Sequence, residues 1–390
     1  MRVLLVLRYF YCPSMDIGGA ERQALRLAQA LQEKGVSVTV AAGLWDWGQP
    51  RRETIQGVPV HRHFTAWGMW NIRGLRRFGQ YLYLLSLFLY LVRHRAAYDV
   101  IHCQSAMFEA SVVAVAGRWL HKPTLVRSMA SGAWGDFRMV RQDRTIRGTS
   151  WMLRQVRRAD AVVALNPQVA DEMVALGVAK EKIRSIPNGV DVPSGRHGRD
   201  YALGNPIVVT FVGRLHPQKD AATLVRACGL LLQERPDLSW RLKLAGTGPL
   251  AGYLKRLAEE LSISRQVEFL GHVNDVDALL EQSDLFVLPS LSEGISNALL
   301  EAMAHGLPCI VTDIPGNNDV IRDGENGVLV QVEDVVGLAQ AVLAVVENAA
   351  WREKLGEEAR QTVETRYSLT AVADQYMRLY ESLLDQQSGL

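Results

Sequence analysis

Residues 284–316 read DLFVLPSLSEGISNALLEAMAHGLPCIVTDIPG, and their reading decides the fold. Asp284 to Pro289 is a short apolar run closed by turn residues, the pattern of a strand buried on both faces of a parallel sheet. Ser296 can cap a helix over Asn297 to His305, and Gly306 followed by Pro308 stops it. Cys309 to Thr312 is a second buried strand, so the stretch is a strand, loop, helix and strand. The loop is where chemistry can sit. Gly294 and the first amides of the helix, Ile295, Ser296 and Asn297, offer backbone donors and a positive dipole end to an anion. Two carboxylates bracket that place. Glu293 stands just ahead of the helix, and Glu301 about 7–8 Å along it at 1.5 Å per residue. Such spacing suits a ligand with phosphate at one end and hydroxyls farther on, as in a nucleoside-diphosphate sugar.

Bulk properties set the frame. A chain of 390 residues has room for two cores, and 48% hydrophobic with 22% charged residues is a globular composition. The four cysteines, Cys12, Cys103, Cys228 and Cys309, are scattered without metal-ligand spacing, so they read as small buried hydrophobes in a reducing compartment. Met1 to Leu7 is too short for a signal peptide and reads as a first strand, which gives a cytoplasmic expectation. The net charge of +2 hides an asymmetry: residues 1–190 carry 26 Lys+Arg against 13 Asp+Glu, and the remainder 17 against 28. A basic first half points to an anionic partner for that half alone.

Outward toward the N-terminus, the strand Arg2 to Leu7, a loop with Gly18 and Gly19, and a helix from Ala20 form a βαβ start. Paired glycines before a helix let amides approach an anion. No G-x-G-x-x-G is present, so the dinucleotide fingerprint is missing. Tyr81 to Val92 (YLYLLSLFLYLV) is almost wholly apolar, with Arg73, Arg76, Arg77, Arg93 and Arg95 around it. It falls short of the ~20 residues that span a bilayer. Two readings stay open: a buried helix, or one lying at an anionic membrane surface. Tyr98 to Cys103 is a strand ending near His102, and Thr124 to Arg127 is another. The polar Pro193 to Gly204 segment reads as a linker. Beyond it, Pro206 to Val212 is a strand that leads into Gly213-Arg214-Leu215 and then Lys219. Two cations at the carboxyl end of a strand can hold the charge of a departing diphosphate.

Glu293, seven intervening residues, Glu301, then Ala-Met-Ala-His-Gly-Leu-Pro resembles the E-x7-E signature of the retaining glycosyltransferases of family 4, which have the GT-B fold. The run Gly213-Arg214-Leu215 with Lys219 four residues on is a second match, and Gly18-Gly19-Ala-Glu-Arg resembles the family's donor-side glycine loop. The resemblance implies an α/β protein of two Rossmann-like domains facing across a cleft. These are residues 1–192, holding the acceptor, and 205–367, holding the nucleotide sugar, with a C-terminal helix of about 368–390 crossing back. It implies hexosyl transfer with retention, catalysed by Arg214, Lys219 and Glu293. Donor binding would fall to Gly18, Gly19, Val273, Gly294, Ile295, Ser296, Asn297, Leu300 and Glu301. Many relatives carry a His after the strand Thr124 to Arg127 and this chain has none there, which leaves His102, Arg127, Ser131 and Asp136 as candidate sugar or acceptor contacts. The expected partners are a nucleotide sugar, a glycan or lipid-linked acceptor and an anionic membrane surface at the inner face of the plasma membrane, with no nucleic acid. No metal and no other cofactor is expected. A soluble acceptor, an epimerase, or a non-catalytic donor-binding protein are the alternatives.

Overall fold

The computed structural model describes residues 1–12, 19–46, 48–65, 75–128, 136–143, 147–193 and 199–388. The chain divides into two compact units: Met1–Gly189 with Val372–Leu390, and Val190–Ala371.

The first unit runs β1 (Arg2–Val6), α1 (Gly19–Glu33), β2 (Ser37–Gly43), β3 (Arg52–Ile55), β4 (Val58–His63), α2 (Arg76–Arg93), β5 (Val100–Cys103), α3 (Phe108–Leu120), β6 (Thr124–Arg127), α4 (Asp136–Gln142), α5 (Thr149–Val156), β7 (Ala161–Ala164), α6 (Pro167–Ala175) and β8 (Ile183–Ser185). Its sheet is ordered β3-β4-β2-β1-β5-β6-β7-β8, and β3 alone pairs antiparallel. Strands β5, β6 and β7 are buried at every position, which is why they read as plain apolar runs. The hairpin of β3 and β4 escapes the sequence reading because β3 carries Arg52 and Glu53 and β4 carries His61, Arg62 and His63. Arg62 is buried there by donating to Pro50 O and Phe10 O and pairing with Glu53.

Helix α2 resolves the two readings of the apolar run in an unexpected way. Tyr83, Leu84, Leu87 and Leu91 enter the core of the unit, while Phe78, Tyr81, Leu85 and Leu89 stay exposed. The helix is therefore buried on one face and bare on the other, although both faces are apolar. No helix among the described residues is long and apolar enough to cross a membrane.

The second unit runs β9 (Ile207–Val212), α7 (Ala221–Glu234), β10 (Trp240–Ala245), α8 (Ala251–Glu260), β11 (Val267–Gly271), α9 (Val276–Glu281), β12 (Leu285–Leu288), α10 (Asn297–Ala304), β13 (Cys309–Thr312), β14 (Val328–Val330), α11 (Val335–Glu347) and α12 (Ala349–Thr362). All its strands are parallel, in the order β11-β10-β9-β12-β13-β14. This is the doubly wound order of a Rossmann sheet, whose direction of growth reverses between β9 and β12. Asparagine and aspartate caps start its later helices: Asp334 accepts from Gly337 N and Asn348 from Trp351 N. The last helix, α13 (Leu369–Ser388), belongs from Val372 onward to the first unit.

Candidate active site

In a doubly wound sheet, ligands collect outside the carboxyl ends of the two strands where the order reverses. Here those strands are β9 and β12. The loop after β9 holds Arg214 and the short 3₁₀ turn Pro217–Lys219, and the loop after β12 holds Glu293. The two loops are fastened together. Leu291 N donates to Gln218 O at 2.8 Å, and Gln218 Nε2 donates to Ser292 O at 2.9 Å. Lys219 Nζ pairs with Glu293 Oε1. Arg214 is exposed and reaches Gln218 Oε1 at 3.4 Å.

Behind Glu293 lies a chain of polar groups that the sequence reading missed. Ser290 Oγ donates to Glu293 Oε1 at 2.7 Å, and Thr312 Oγ1 donates to Ser290 O at 2.5 Å. Asn317 Nδ2 then donates to Thr312 O at 3.0 Å. The only signal for these residues is a polar side chain closing an apolar run, as Thr312 closes β13. Two glycines let the loops approach one another. At Gly246 (φ +146°) an added Cβ would stand 1.8 Å from Gly213 O, and at Gly316 (φ +92°) 2.1 Å from Gly294 O. Both backbones press so closely on the Arg214 and Glu293 loops that no other residue fits.

Ser296 caps α10, its hydroxyl accepting from Leu299 N at 3.5 Å, and the stretch Gly294 to Asn297 that enters the helix follows directly on Glu293. Glu301 is half-buried on the same helix. Leu300 is corrected: it is fully buried in the core of the unit, so its side chain cannot meet a donor. Val273 is half-buried in the turn beyond β11. The second unit thus brings together Arg214, Lys219, Glu293 and the start of α10 at one edge of one sheet.

The first unit's candidates are arranged differently. Gly19 opens α1; Gly18, Ser131 and Arg73 lie outside the described residues. His102 is corrected from a sugar contact to a core residue. It has no exposed surface, its Nδ1 is 2.7 Å from Tyr380 Oη, and the Gln104 amide is 3.2 Å from its Nε2. Burial, aided by Arg127, pushes its pKa well below the usual histidine value, so the ring is neutral. Arg127 is buried and donates to Gln104 Oε1 at 3.2 Å and to Asn188 Oδ1, leaving Nε without a partner among the described residues. Asp136 is corrected to a structural role: it is buried at the start of α4 and accepts from Ala106 N at 3.1 Å. Among the described residues, no group of three or more His, Cys, Asp or Glu side chains could hold a metal ion.

Residues 17–194 match Glycosyltransferase Family 4, and residues 206–348 match the family described as Glycosyl transferases group 1. The chain belongs to the family 4 glycosyltransferases. Among curated relatives of this glycosyltransferase, the lipopolysaccharide core biosynthesis glycosyltransferase LpsE of Rhizobium meliloti is 32% identical over 59% of the chain and 66% of its own length. The UDP-Gal:alpha-D-GlcNAc-diphosphoundecaprenol alpha-1,3-galactosyltransferase of Escherichia coli is 32% identical over 51% of the chain and 54% of its own length. The matched region therefore spans about half to two thirds of these relatives. Anabaena HepE, solved with UDP and glucose, superposes with a TM-score of 0.76 at 18% identity, covering 98% of this chain and all of that one. At that identity the likeness shows the GT-B fold of two Rossmann-like domains.

Proposed function

We propose that the protein transfers a hexosyl unit from a nucleoside-diphosphate sugar to a hydroxyl of a lipid-linked or cell-surface glycan precursor, with retention at the anomeric carbon. The observation that carries this reading is the pairing of Lys219 with Glu293 across the β9/β12 reversal, with Arg214 and the start of α10 beside it. The second unit holds the donor. Arg214 and Lys219 take the charge that builds on the β-phosphate as the bond to the sugar breaks, the work a metal does elsewhere, and the amides from Gly294 to Asn297 assist. A diphosphate arriving at Lys219 competes with Glu293 for the ammonium, and the released carboxylate turns to the sugar hydroxyls. Glu301 holds the ribose diol. The departing phosphate itself receives the proton of the incoming hydroxyl, so no second carboxylate of the glycosidase kind is needed.

Uridine is the nucleobase we favour, because HepE was solved with UDP-glucose and the Escherichia coli relative is named for UDP-Gal. The lipid side of the reading rests on α2. Leu85 and Leu89 are 53% and 57% exposed one turn apart, and Trp119, stacked on Phe88 at 5.7 Å, is 62% exposed. Exposed Arg93, Arg95 and Arg118 belong to the same helices and their ends. Apolar side chains set among arginines suit a surface of anionic headgroups. The test is a melting-temperature screen with uridine, guanosine and adenosine diphosphate sugars, followed by turnover of the labelled sugar that stabilises most. A uridine diphosphate hexose should raise the melting temperature and be consumed with release of UDP. If no nucleotide sugar of the panel shifts the melting temperature, the reading is wrong.

A further inference from the structure

Strands β12 and β13 pair in parallel, with Leu288 opposite Val311. Ser290 and Thr312 therefore leave the sheet side by side at its carboxyl end. Hydroxyls beyond a strand end ordinarily satisfy their own turn. These two do otherwise. Ser290 Oγ reaches the side chain of Glu293, donating to Oε1 at 2.7 Å, on the oxygen that Lys219 Nζ also meets. Thr312 Oγ1 crosses between strands to Ser290 O at 2.5 Å. Asn317 Nδ2 lies 3.0 Å from Thr312 O and 3.4 Å from Thr312 Oγ1. A carbonyl oxygen only accepts, so the amide nitrogen must face Thr312, and Thr312 Oγ1 accepts from it as well. The threonine's own proton is then left for Ser290 O. The row has one direction, from Asn317 through Thr312 to Ser290, whose hydroxyl ends on Glu293.

The row is dry. Ser290 and Asn317 have no exposed surface, and Thr312 is 1% exposed. It is also incomplete, because Asn317 Oδ1 has no partner among the described residues. Burying such an atom is a net cost to the fold, and an apolar residue would fill the place without it. A fold that keeps a costly residue at one spot keeps it for a task there. The task is set by what happens at Lys219. Glu293 has the Lys219 ammonium and the Ser290 hydroxyl on one buried oxygen. A diphosphate draws the ammonium away, and the hydroxyl stays. We propose that Ser290, Thr312 and Asn317 are positioning residues for Glu293, holding its carboxylate toward the transferred sugar when the donor takes Lys219 from it. The proposal rests on the reading of Glu293 as a sugar contact. The three residues touch no substrate themselves and act through Glu293 alone. A carboxylate fixed in this way gives up little freedom when the sugar arrives, so its hydrogen bonds to the sugar hydroxyls count nearly in full.

Calorimetry tests this without turnover. UDP-glucose, UDP-galactose, GDP-mannose and ADP-glucose are each compared with their free nucleoside diphosphate, and the ratio of the two affinities isolates the sugar. For the donor that binds the wild type, Ser290→Ala should lower that ratio about tenfold, the typical effect of losing a hydrogen bond to a charged group. Thr312→Val, which removes only the hydroxyl, should lower it several-fold, and Thr312→Ser, which keeps it, should restore the wild-type ratio. In a Glu293→Ala background Ser290→Ala should change the ratio no further, because nothing remains for the serine to hold. A merely structural role would repeat its loss there. The melting shift produced by the free nucleoside diphosphate confirms that each variant is folded. The inference is overturned if Ser290→Ala keeps the wild-type ratio, if Thr312→Ser is as poor as Thr312→Val, or if the losses of Ser290→Ala and Glu293→Ala add in full. Full addition in an enzyme that transfers sugar would sink this inference alone. Coupling between the two positions without transfer to any hydroxyl would sink the transferase reading alone. If the wild type binds none of these donors, both fall.

Discussion

Replacing Lys219 with methionine tests the site's central pair in both its roles. The change leaves the Glu293 carboxylate, whose side chain is 7% exposed, with its cation gone and Ser290 Oγ still donating to it. Breaking a buried ion pair by removing one partner costs about 3–5 kcal/mol. The Lys219 side chain is 16% exposed, so water reaches the pair and the low end, about 3 kcal/mol, is the better figure. For a domain of this size, a loss of about 3 kcal/mol lowers the melting temperature by roughly 6–12 °C. Transfer should fall by about 10²–10³, the usual effect of removing one group that meets developing charge. Adding Glu293→Gln removes the stranded charge, so the double variant should recover most of the stability and none of the rate. Thermal unfolding followed by circular dichroism and a coupled assay of UDP release would measure both. A single variant that melts within about 2 °C of the wild type and turns over at full speed refutes the reasoning. So does a double variant that regains activity.

Other consequences can be checked separately. Gly316→Ala forces a Cβ against Gly294 O and should lower both the melting temperature and the UDP-induced shift, since the Glu293 loop must move. Gly324→Ala, where an added Cβ meets nothing, serves as the comparison at another positive φ. Burial pushes the His63 pKa down to about 4, below the value of about 6.5 in an unfolded chain. The unfolded chain then binds a proton that the fold refuses. Stability is full above pH 6.5 and falls by about 1.4 kcal/mol per pH unit as pH drops toward 4. His63→Asn should remove that share of the slope in urea titrations at pH 7, 5.5 and 4.5, with His102 supplying the residue. Leu85→Glu with Leu89→Glu should abolish co-sedimentation with vesicles of anionic lipid while leaving the UDP-induced shift intact. Equal sedimentation of the variant would remove the membrane reading.

The second unit was legible because its signals are local. Strands β12 and β13 are buried at every position, Ser296 caps where a cap is needed, and the cations sit in the turn after β9. Placing Lys219 against Glu293 needed the doubly wound order, which couples loops 74 residues apart. Leu300 was misread because the alternation of core and site positions along one turn of α10 shows only in three dimensions. In the first unit the signals fail for a different reason. The β3–β4 hairpin hides its strands behind Arg52 and the paired charges of Glu53 and Arg62, and α2 has no polar stripe to show which face is turned inward. His102 reads as a chemical group at a strand end because the phenol that holds it lies 278 residues downstream.

That last distance has a consequence for how the polypeptide matures on the ribosome. The middle segment, Val190–Ala371, is contiguous and can close its own core as soon as it emerges. The N-terminal half cannot, because the ring cluster of His102, Tyr376 and Tyr380 waits for α13. During synthesis the unit that comes out first is therefore the one completed last. Until then it carries an open seam beside β5, the surface a chaperone would shield.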